Sequence, residues 1–557
     1  MLQQQAARRG GGTWSSKHSA CQPAEHEAPG LPGHRGLQRA EGPSVTSRKC
    51  CTSMLFSKSI ASRAGLASAV ASRSCRPTFA AMPLRAKIIG QQAPISTQAA
   101  AKLFAPVEGD EPEDVLFNSL YNLRSIELNR PAKYNALNGS MIRKIAPRLL
   151  EWERSDMANV IVIKGSGEKA FCAGGDVAAL AKQNAQGPEG IKKSVDYFGL
   201  EYKLNHLIAT YTRPYVAFLD GFTMGGGVGL SIHAPFRIAT EKTVFAMPET
   251  KIGFFPDVGA SFFLPRMPGQ VGTYLGLTSA ILEGVQVYYA GIATHYLHSS
   301  SLPALESRLA ELTPKDYWTM DQRLSVINDT IEEFSTGLPW NQPIQIGGAV
   351  RDAIDRCFKY DKIDEIIAAL KEEAAQPSVQ VWAKRTLEEL TKRSPTSLHV
   401  TLRQMRLGKT WDIAQTFKRE HQMAAKFMKS HDFNAGVKAL LIEKEKNGPA
   451  KWNPASLDEI APGANISEDY FKNDPETPLL ELLNDRSYEQ YPYNKFGLPN
   501  DHDVQELVTK GNFTKEKLLA HFTETKRGKE GLQLAVVDVL RRKCEVEKGS
   551  EYIKWKE

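Results

Sequence analysis

The sequence predicts an α/β domain followed by a mainly helical region, and three observations lead to that prediction. Strand-like and helix-like runs alternate from Leu123 onward, as they do in domains whose parallel strands are joined by helices. Past about Thr313 these runs give way to charged, helix-like segments. The 557 residues are 42% hydrophobic and 24% charged, which excludes collagen-like, disordered and disulfide-scaffold proteins for the bulk of the chain.

The first half of the chain supplies the predicted strands. Leu123–Leu128 alternates apolar and polar residues, as a half-buried strand does. Val160–Ile163 and Tyr215–Leu219 are continuous apolar runs, which are typical of buried strands. Two ranges with helical spacing lie between these strands: Ser140–Glu153 and Gly190–Leu207. Pro147 is expected to kink or delay the first of these helices.

The second half of the chain is predicted to be helical. Its helix-like, strongly charged segments are Asp361–Ala375, Val379–Lys392, Asp412–Lys429 and Asn434–Lys446. A C-terminal extension follows, with helical patches at Thr514–Phe522 and Leu532–Arg542. We therefore divide the chain into five parts, residues 1–53, 54–107, 108–312, 313–462 and 463–557.

The N-terminal segment has the composition of a mitochondrial targeting sequence. The first 107 residues contain fourteen Lys or Arg and three acidic residues. The remaining 450 residues contain 56 Lys or Arg and 60 acidic residues. From Gly42 to Val107 there is no Asp or Glu, and the Ser-, Ala- and Arg-rich run that begins at Met54 has amphipathic spacing. We predict a presequence and linker at 54–107, a matrix location, and Met54 as the working start after an unstructured stretch at 1–53. A disordered low-complexity tail is the alternative.

Charge, cysteines and hydropathy exclude several functions. The near-neutral balance after residue 107 does not indicate a nucleic-acid-binding protein. Cys172, Cys357 and Cys544 lie far apart and in no metal-ligand spacing. We therefore expect a reducing compartment, no disulfide framework and no metal site. The chain contains no run of 18 apolar residues, so no stable membrane insertion is expected.

Two glycine-rich turns are candidates for an oxyanion-binding site. Phe171–Asp176 and Asp220–Gly229 each follow a strand-like run and precede a helix-like one. Small residues leave backbone N–H groups free to approach one oxygen, and a helix N-terminus adds positive potential. Taken alone, each turn is better explained as an ordinary tight turn of an α/β domain. The spacing of Gly225–Gly229 does not match a dinucleotide motif, and Arg403 stands where a phosphate loop before Gly408 needs its first glycine.

Two acidic residues follow prolines in apolar surroundings. They are Glu249 and Asp257, separated by a short loop. Burial beside Met247, Phe254 and Phe255 would raise the pKa of either carboxyl group, as a general acid or base requires. Two such acids eight positions apart could meet in one pocket. The alternative is a pair of loop carboxylates that cap helices.

Several motifs taken together resemble the crotonase, or enoyl-CoA hydratase/isomerase, superfamily. They are Arg130–Leu137, Phe171–Asp176, Met224–Leu230 and Phe245–Thr250. Further segments resemble the 3-hydroxyisobutyryl-CoA hydrolase branch of that superfamily: Gly199–Tyr202, Phe254–Gly259, Ala290–His295, Ser394–Leu398 and Asp432–Val437. The resemblance spans about Leu116 to Ile460.

The resemblance implies a spiral of ββα units that binds an acyl-CoA thioester. The backbone N–H groups of Gly175 and Gly226 would hold the thioester oxyanion, and Glu249 would be the catalytic carboxylate. Asp257 and Glu201 would hold the hydroxyl group of the substrate and line the acyl pocket. No metal and no cofactor are implied, because CoA is part of the substrate.

One departure from the hydratase pattern favours hydrolysis. Hydratases of this superfamily have a second glutamate where this chain has Gly229, and addition of water to a double bond needs two carboxylates around one water. The resemblance therefore implies hydrolysis of 3-hydroxyisobutyryl-CoA, a step of mitochondrial valine breakdown. Another crotonase activity, such as hydration, stays open as an alternative.

A structural role is the second alternative. Fungal relatives that resemble this chain are components of the mitochondrial small ribosomal subunit, which is therefore a candidate partner. The extension combines apolar positions with the basic run Arg541–Lys543, so its last helix could dock on a partner, pack on its own domain or form a homo-oligomer contact. The candidate site residues all lie between Gly175 and Asp257, so we expect hydrolysis not to need residues 465–557.

Overall fold

The computed structural model describes residues 97–461 and 463–556. The stretch at 1–53, the start at Met54 and most of the predicted presequence lie outside the described residues. The part of 54–107 that is described contains one short helix, Thr97–Leu103.

Two sheets form the α/β core. Its strands are β1 (Val115–Leu120), β2 (Leu123–Leu128), β3 (Val160–Gly165), β4 (Ala170–Cys172), β5 (Tyr215–Leu219), β6 (Phe222–Met224), β7 (Phe236–Ala239), β8 (Val244–Ala246), β9 (Leu282–Glu283) and β10 (His295–Tyr296). The larger sheet has the order β1-β2-β3-β5-β7-β10, and every neighbouring pair after the β1–β2 hairpin is parallel. The smaller sheet has the order β4-β6-β8-β9, and its first three strands are parallel.

Helices join the strands and then continue as the C-terminal region. Those of the α/β part are α1 (Thr97–Leu103), α2 (Gly139–Glu153), α3 (Val177–Asn184), α4 (Pro188–Ala209), α5 (Gly226–Gly229), α6 (Ala260–Phe263), α7 (Val271–Thr278), α8 (Val285–Tyr289) and α9 (Leu302–Glu311). The helical region contains α10 (Met320–Glu332), α11 (Gly348–Cys357), α12 (Ile363–Glu373), α13 (Gln380–Thr391), α14 (Pro395–Leu407), α15 (Ile413–Lys429) and α16 (His431–Val437). The predicted α/β spiral with a mainly helical C-terminal region is confirmed.

Local sequence explains several elements directly. β2 and β5 have the predicted bounds because alternation and continuous burial mark them clearly. In α2 the side chain of Asn138 accepts a hydrogen bond from Met141 N at 2.8 Å, which caps the helix. Pro147 does not delay this helix, contrary to the expectation, because the cap starts it two turns earlier.

Each successive turn of the chain adds one strand to the larger sheet and one strand to the smaller sheet. β3 continues into β4, β5 into β6 and β7 into β8, and the order of both sheets follows the order of the chain. As a result the loops after β4 and β6 are neighbours. The long helix α4 crosses this core, and α15 of the helical region packs along it. The helical region therefore closes over the loops that contain the candidate residues.

The first part of the C-terminal extension packs on the core. This part, residues 473–500, has no α-helix or strand but buries Leu480 and Leu483 in the two main hydrophobic clusters. The second part contains α17 (Asp501–Lys510), α18 (Lys515–Thr525), α19 (Leu532–Lys543) and the antiparallel pair β11 (Cys544–Val546) and β12 (Ile553–Trp555). These elements share a small apolar core of their own.

Two further features bear on the predictions. Cys172, Cys357 and Cys544 are buried and unpaired. Among residues 97–461 and 463–556, no helix is long and apolar enough to span a bilayer.

Candidate functional site

The two glycine turns meet at the carboxyl ends of β4 and β6. The backbone N–H groups of Gly175 and Gly226 donate to no acceptor within the described part of the chain. A Cβ built on Gly226 would lie 3.2 Å from the Gly175 nitrogen, so the two loops are in close approach. Gly225 has φ +44°, a left-handed conformation that turns the chain into α5 and that side chains rarely tolerate. Two free N–H groups thus lie side by side, one of them at a helix N-terminus.

Two other glycines of the second loop pack against backbone and side chains. A Cβ on Gly227 would lie 2.2 Å from the carbonyl oxygen of Cys172, which only glycine permits. A Cβ on Gly229 would lie 2.7 Å from Val258 Cβ and 2.9 Å from the amide of Asn205. Neighbouring side chains therefore fill the space in which hydratases have their second glutamate.

Glu249 is the first residue of a 3₁₀ turn, Glu249–Ile252, which follows β8 after two intervening residues. The side chain is buried, and its Oε2 has no hydrogen-bond partner among the described residues. A Cβ on Gly225 would lie 3.1 Å from Oε1, so the carboxylate faces the second glycine loop. Burial raises the pKa of Glu249 well above its ordinary range, and the charges of Asp257 and Glu201 add to that effect. A carboxylate with an unpartnered oxygen can act as base or nucleophile.

Glu201 projects from α4 toward the same loop. Its Oε1 has no hydrogen-bond partner in the described part of the chain and would lie 2.7 Å from a Cβ on Gly226. Burial raises the pKa of Glu201 and the charge of Asp257 raises it further, whereas the hydroxyl of Tyr197 partly offsets both. The Tyr197 hydroxyl also donates to the carbonyl oxygen of Leu137 at 3.2 Å, which ties α4 to the first glycine turn.

Asp257 lies in the turn before α6. Its Oδ2 accepts a hydrogen bond from the hydroxyl of Tyr202 at 2.7 Å. Burial raises the pKa of Asp257 to about 7, although the bond from Tyr202 lowers it. One carboxylate oxygen is therefore held by the protein while the residue still lines the cavity described next.

All five predicted site residues line one cavity of about 90 Å³. Its apolar wall is formed by Val177, Leu180, Phe198, Met224, Ile252, Phe254 and Leu441. A volume of this size holds several water molecules or a short acyl group. The structure thus brings together Gly175, Gly226, Glu201, Glu249 and Asp257, although their individual roles stay predictions.

A fourth buried carboxylate was not predicted. Glu420 on α15 accepts hydrogen bonds from the backbone N–H groups of Gly259 at 2.7 Å and Ser261 at 2.9 Å. Burial raises the pKa of Glu420 to about 8. The signal for it was present in the sequence, because Glu420 falls in the apolar stripe of α15 between Phe417 and Ala424.

The carboxylates of the cluster oppose one another's ionisation. Asp257 contributes to the raised pKa of Glu201, of Glu249 and of Glu420. Within the described residues, no group of three or more His, Cys, Asp and Glu side chains has the arrangement of a metal site. The arrangement as it stands can hold an oxyanion at backbone N–H groups beside a carboxylate that resists ionisation until its partners are neutral.

Comparison with known proteins assigns the family. A family model for enoyl-CoA hydratase/isomerase matches residues 123–471. The chain belongs to the enoyl-CoA hydratase/isomerase family. The resemblance inferred from the motifs is confirmed, and most of the C-terminal extension lies beyond the matched residues.

Relatives of two kinds match this family member. Small ribosomal subunit protein mS47 of Neurospora crassa is 85% identical over 506 residues, which are 90% of this chain and 100% of that protein. The mitochondrial 3-hydroxyisobutyryl-CoA hydrolase of Gallus gallus is 42% identical over 352 residues, which are 63% of this chain and 87% of that protein. Small ribosomal subunit protein mS47 of Schizosaccharomyces pombe is 45% identical over 345 residues, which are 61% of this chain and 77% of that protein.

Solved structures agree with the fold. A carnitinyl-CoA dehydratase from Mycobacterium thermoresistibile is 32% identical with a TM-score of 0.57, covering 66% of this chain and 98% of that one. An enoyl-CoA hydratase from Rhodobacter sphaeroides 2.4.1 is 31% identical with a TM-score of 0.54, and the match covers 65% of this chain and 98% of that one. The crotonase-like spiral is thus shared with solved members of the family.

Proposed function

We propose that this chain hydrolyses 3-hydroxyisobutyryl-CoA to 3-hydroxyisobutyrate and CoA. One observation carries the proposal: the buried Glu249 carboxylate, with an unpartnered oxygen, shares a small cavity with the free N–H groups of Gly175 and Gly226. Gly229 leaves no room for the second carboxylate that hydration needs. The hydrolase of Gallus gallus, 42% identical, supports this choice of reaction.

The proposed chemistry follows from where charge develops. During attack the thioester carbonyl oxygen becomes negative, and the N–H groups of Gly175 and Gly226 stabilise it. Ionised Glu249 either attacks the carbonyl carbon, which gives an anhydride that water then cleaves, or removes a proton from an attacking water. In both routes the C–S bond breaks and CoA leaves as the thiol. The protein groups suffice for these steps, so we propose a reaction without metal or cofactor.

The carboxylates on the acyl side supply selectivity in this proposal. The Asp257 carboxylate accepts a hydrogen bond from the hydroxyl group of the substrate, and Glu201 lines the pocket beside it. The cavity volume of about 90 Å³ suits a short acyl chain rather than a long one. We place the reaction in the mitochondrial matrix and in valine breakdown; the mitochondrial name of the related hydrolases supports the location.

The test is Glu249→Gln in the full chain. The substitution keeps the shape of the side chain but removes the charge that acts as base or nucleophile, so release of CoA from 3-hydroxyisobutyryl-CoA should stop. A matched control is Glu283→Gln, which changes an exposed glutamate of β9 that does not line the cavity. A near-normal rate for Glu249→Gln would refute the assignment.

A second function is favoured by the extent of one match. The 506 residues shared with mS47 of Neurospora crassa leave only 51 of 557 unmatched, so the match includes part of the 95-residue extension. We propose that the chain is also a component of the mitochondrial small ribosomal subunit. Co-sedimentation with small subunits at moderate salt tests this, with the chain ended at residue 500 as the comparison. Sedimentation of the full chain only as free protein would refute it.

A further inference from the structure

The residues around Asp257 adopt a backbone conformation that needs support. We call residues 256–261 the Asp257 turn. Val258 in this turn has φ +55°, in the left-handed region that β-branched residues rarely adopt. Such a conformation is unfavourable and persists only where surrounding contacts determine it. The direction of the Asp257 side chain therefore depends on what holds the turn.

Three side chains from distant parts of the chain hold this turn. Glu420 accepts hydrogen bonds from two of its backbone N–H groups, as described above. The amide nitrogen of Gln404 donates to the carbonyl oxygen of Pro256 at 2.5 Å and to Ser261 Oγ at 2.7 Å. His233 Nε2 lies 3.0 Å from the carbonyl oxygen of Val258. Val258, the strained residue, is thus held through a hydrogen bond between its own carbonyl oxygen and His233.

The hydrogen bonds of His233 determine which tautomer it adopts. A carbonyl oxygen only accepts, so Nε2 must carry the hydrogen that it donates to Val258. Burial lowers the pKa of His233 to about 4, so the ring is neutral and Nδ1 accepts. Two acceptors therefore compete for the single hydrogen of the Tyr491 hydroxyl, His233 Nδ1 at 2.7 Å and the carbonyl oxygen of Ile232 at 2.9 Å.

Tyr491 belongs to the extension, beyond the residues that match the family model. Its ring stacks on the His233 ring with 7° between the planes. The segment around it is fixed to the core: Arg486 O lies 2.9 Å from His206 Nε2, and Ile413 N donates to Tyr488 O at 3.1 Å. Tyr491 is therefore held in place by the same segment that buries apolar side chains in the core.

We propose that Tyr491 is a positioning residue for Asp257, acting through His233 and the carbonyl group of Val258, so that residues 473–500 of the extension support the acyl pocket without lining it. This inference rests on the proposed function. The extension then contributes to selectivity for the hydroxylated acyl group, while the oxyanion site and Glu249 work without it.

The test compares two neighbouring tyrosines in the full chain. Tyr491→Phe keeps the stacked ring and removes only the hydroxyl group. Tyr488→Phe is the matched control, because the Tyr488 hydroxyl is buried without a hydrogen-bond partner among the described residues. Both variants are assayed for kcat and KM with 3-hydroxyisobutyryl-CoA and with isobutyryl-CoA, which lacks the hydroxyl group.

Tyr491→Phe should lower kcat/KM for the hydroxylated substrate about three- to tenfold, chiefly through KM, as expected for one weakened hydrogen-bond chain. Its kcat/KM for isobutyryl-CoA should stay unchanged, and Tyr488→Phe should match the wild type with both substrates. Equal losses on both substrates, or no loss for Tyr491→Phe, would overturn the proposal.

A binding measurement separates this inference from the proposed function. Calorimetry with non-hydrolysable thioether analogues of the same two acyl-CoA molecules gives affinities whether or not the chain turns over. If the wild type hydrolyses neither substrate, the proposed function fails. Preferential loss of affinity for the hydroxylated analogue in Tyr491→Phe would still support the positioning role, and equal affinity of wild type and variant would still overturn it.

Discussion

The two sides of the candidate site are built in different ways. On one side Gly175 and Gly226 present backbone N–H groups from loops that follow neighbouring parallel strands, so local turn geometry suffices. On the other side Asp257 sits in a strained turn that is held by helix α15 and, through His233, by the extension. In the proposed reaction, the part that stabilises charge is therefore local, whereas the part that faces the acyl group depends on distant segments.

Substitutions on the two sides should therefore have different effects on activity. A change at the glycine loops should remove activity toward every acyl-CoA, because each substrate uses the same two N–H groups. A change at the segments that hold Asp257 should alter which acyl groups are preferred. The predictions below test that separation, beginning with the largest expected effect.

Gly226→Ala should reduce kcat about 10²–10³-fold for hydroxylated and plain acyl-CoA alike, as much as loss of one oxyanion donor, because the added Cβ blocks the approach to the N–H groups. The added Cβ would lie 2.7 Å from Glu201 Oε1 and 3.2 Å from the Gly175 nitrogen, where the oxyanion should bind. Gly497→Ala is the control, because a Cβ there meets nothing closer than 3.7 Å at φ −85°. Selective loss for one substrate class would contradict the separation of the two sides.

Gly229→Glu should destabilise the protein by at least about 1–3 kcal/mol and create no hydratase activity, because overpacking a buried site forces its neighbours to move. The new Cβ alone would lie 2.7 Å from Val258 Cβ. Thermal unfolding and an assay with an enoyl-CoA measure the two effects. Hydration of the enoyl-CoA by a stably folded variant would contradict this prediction. It would show that Val258 and its neighbours can move to make room for the glutamate.

The pH dependence of kcat/KM should report Glu249. Activity should fall as the pH is lowered, with an apparent pKa above the ordinary range of a glutamate, because burial and neighbouring charges hold the pKa of Glu249 high. Asp257→Asn should move this acid limb to lower pH, since it removes the largest of the charges that raise that pKa. Asp316→Asn, at an exposed position, should leave the limb in place. An unmoved limb in Asp257→Asn would mean that the two carboxylates titrate independently.

A smaller effect is expected on stability. Glu249→Gln should unfold at a slightly higher temperature than the wild type at mildly alkaline pH. Above pH 4.5 the unfolded chain ionises Glu249 freely, whereas burial keeps its pKa raised in the folded state, so the acid costs stability there. The difference should vanish below pH 4.5, where both states are protonated. A lower melting temperature throughout would show that the carboxylate makes stabilising contacts.

Local patterns made much of the fold predictable. β2 and β5 follow from side-chain periodicity, and the glycine turns follow from their position between a strand and a helix. The smaller sheet escaped prediction because strands such as β4 and β6 contain only three residues each, too few to show a period. The five candidate residues came from the resemblance as well as from residue chemistry.

The contacts that hold the acyl side could not be predicted. Glu420 lies 161 positions from Gly259, and Tyr491 lies 258 positions from His233. Only packing of the helical region and the extension on the core brings these pairs together. For the same reason the sequence did not reveal that residues 473–500 pack on the core, where Leu480 and Leu483 are buried. That hydrolysis does not need residues 465–557 stays a prediction.

The most direct test of the central claim is product analysis with the purified full chain. 3-hydroxyisobutyryl-CoA and methacrylyl-CoA are incubated separately, with thiol release and product mass measured for each. Glu249 beside the oxyanion site, with Gly229 at the position of the second hydratase glutamate, predicts free CoA and 3-hydroxyisobutyrate from the first substrate. It predicts no addition of water to the double bond of the second substrate. Hydration of methacrylyl-CoA without thiol release from 3-hydroxyisobutyryl-CoA would contradict the account.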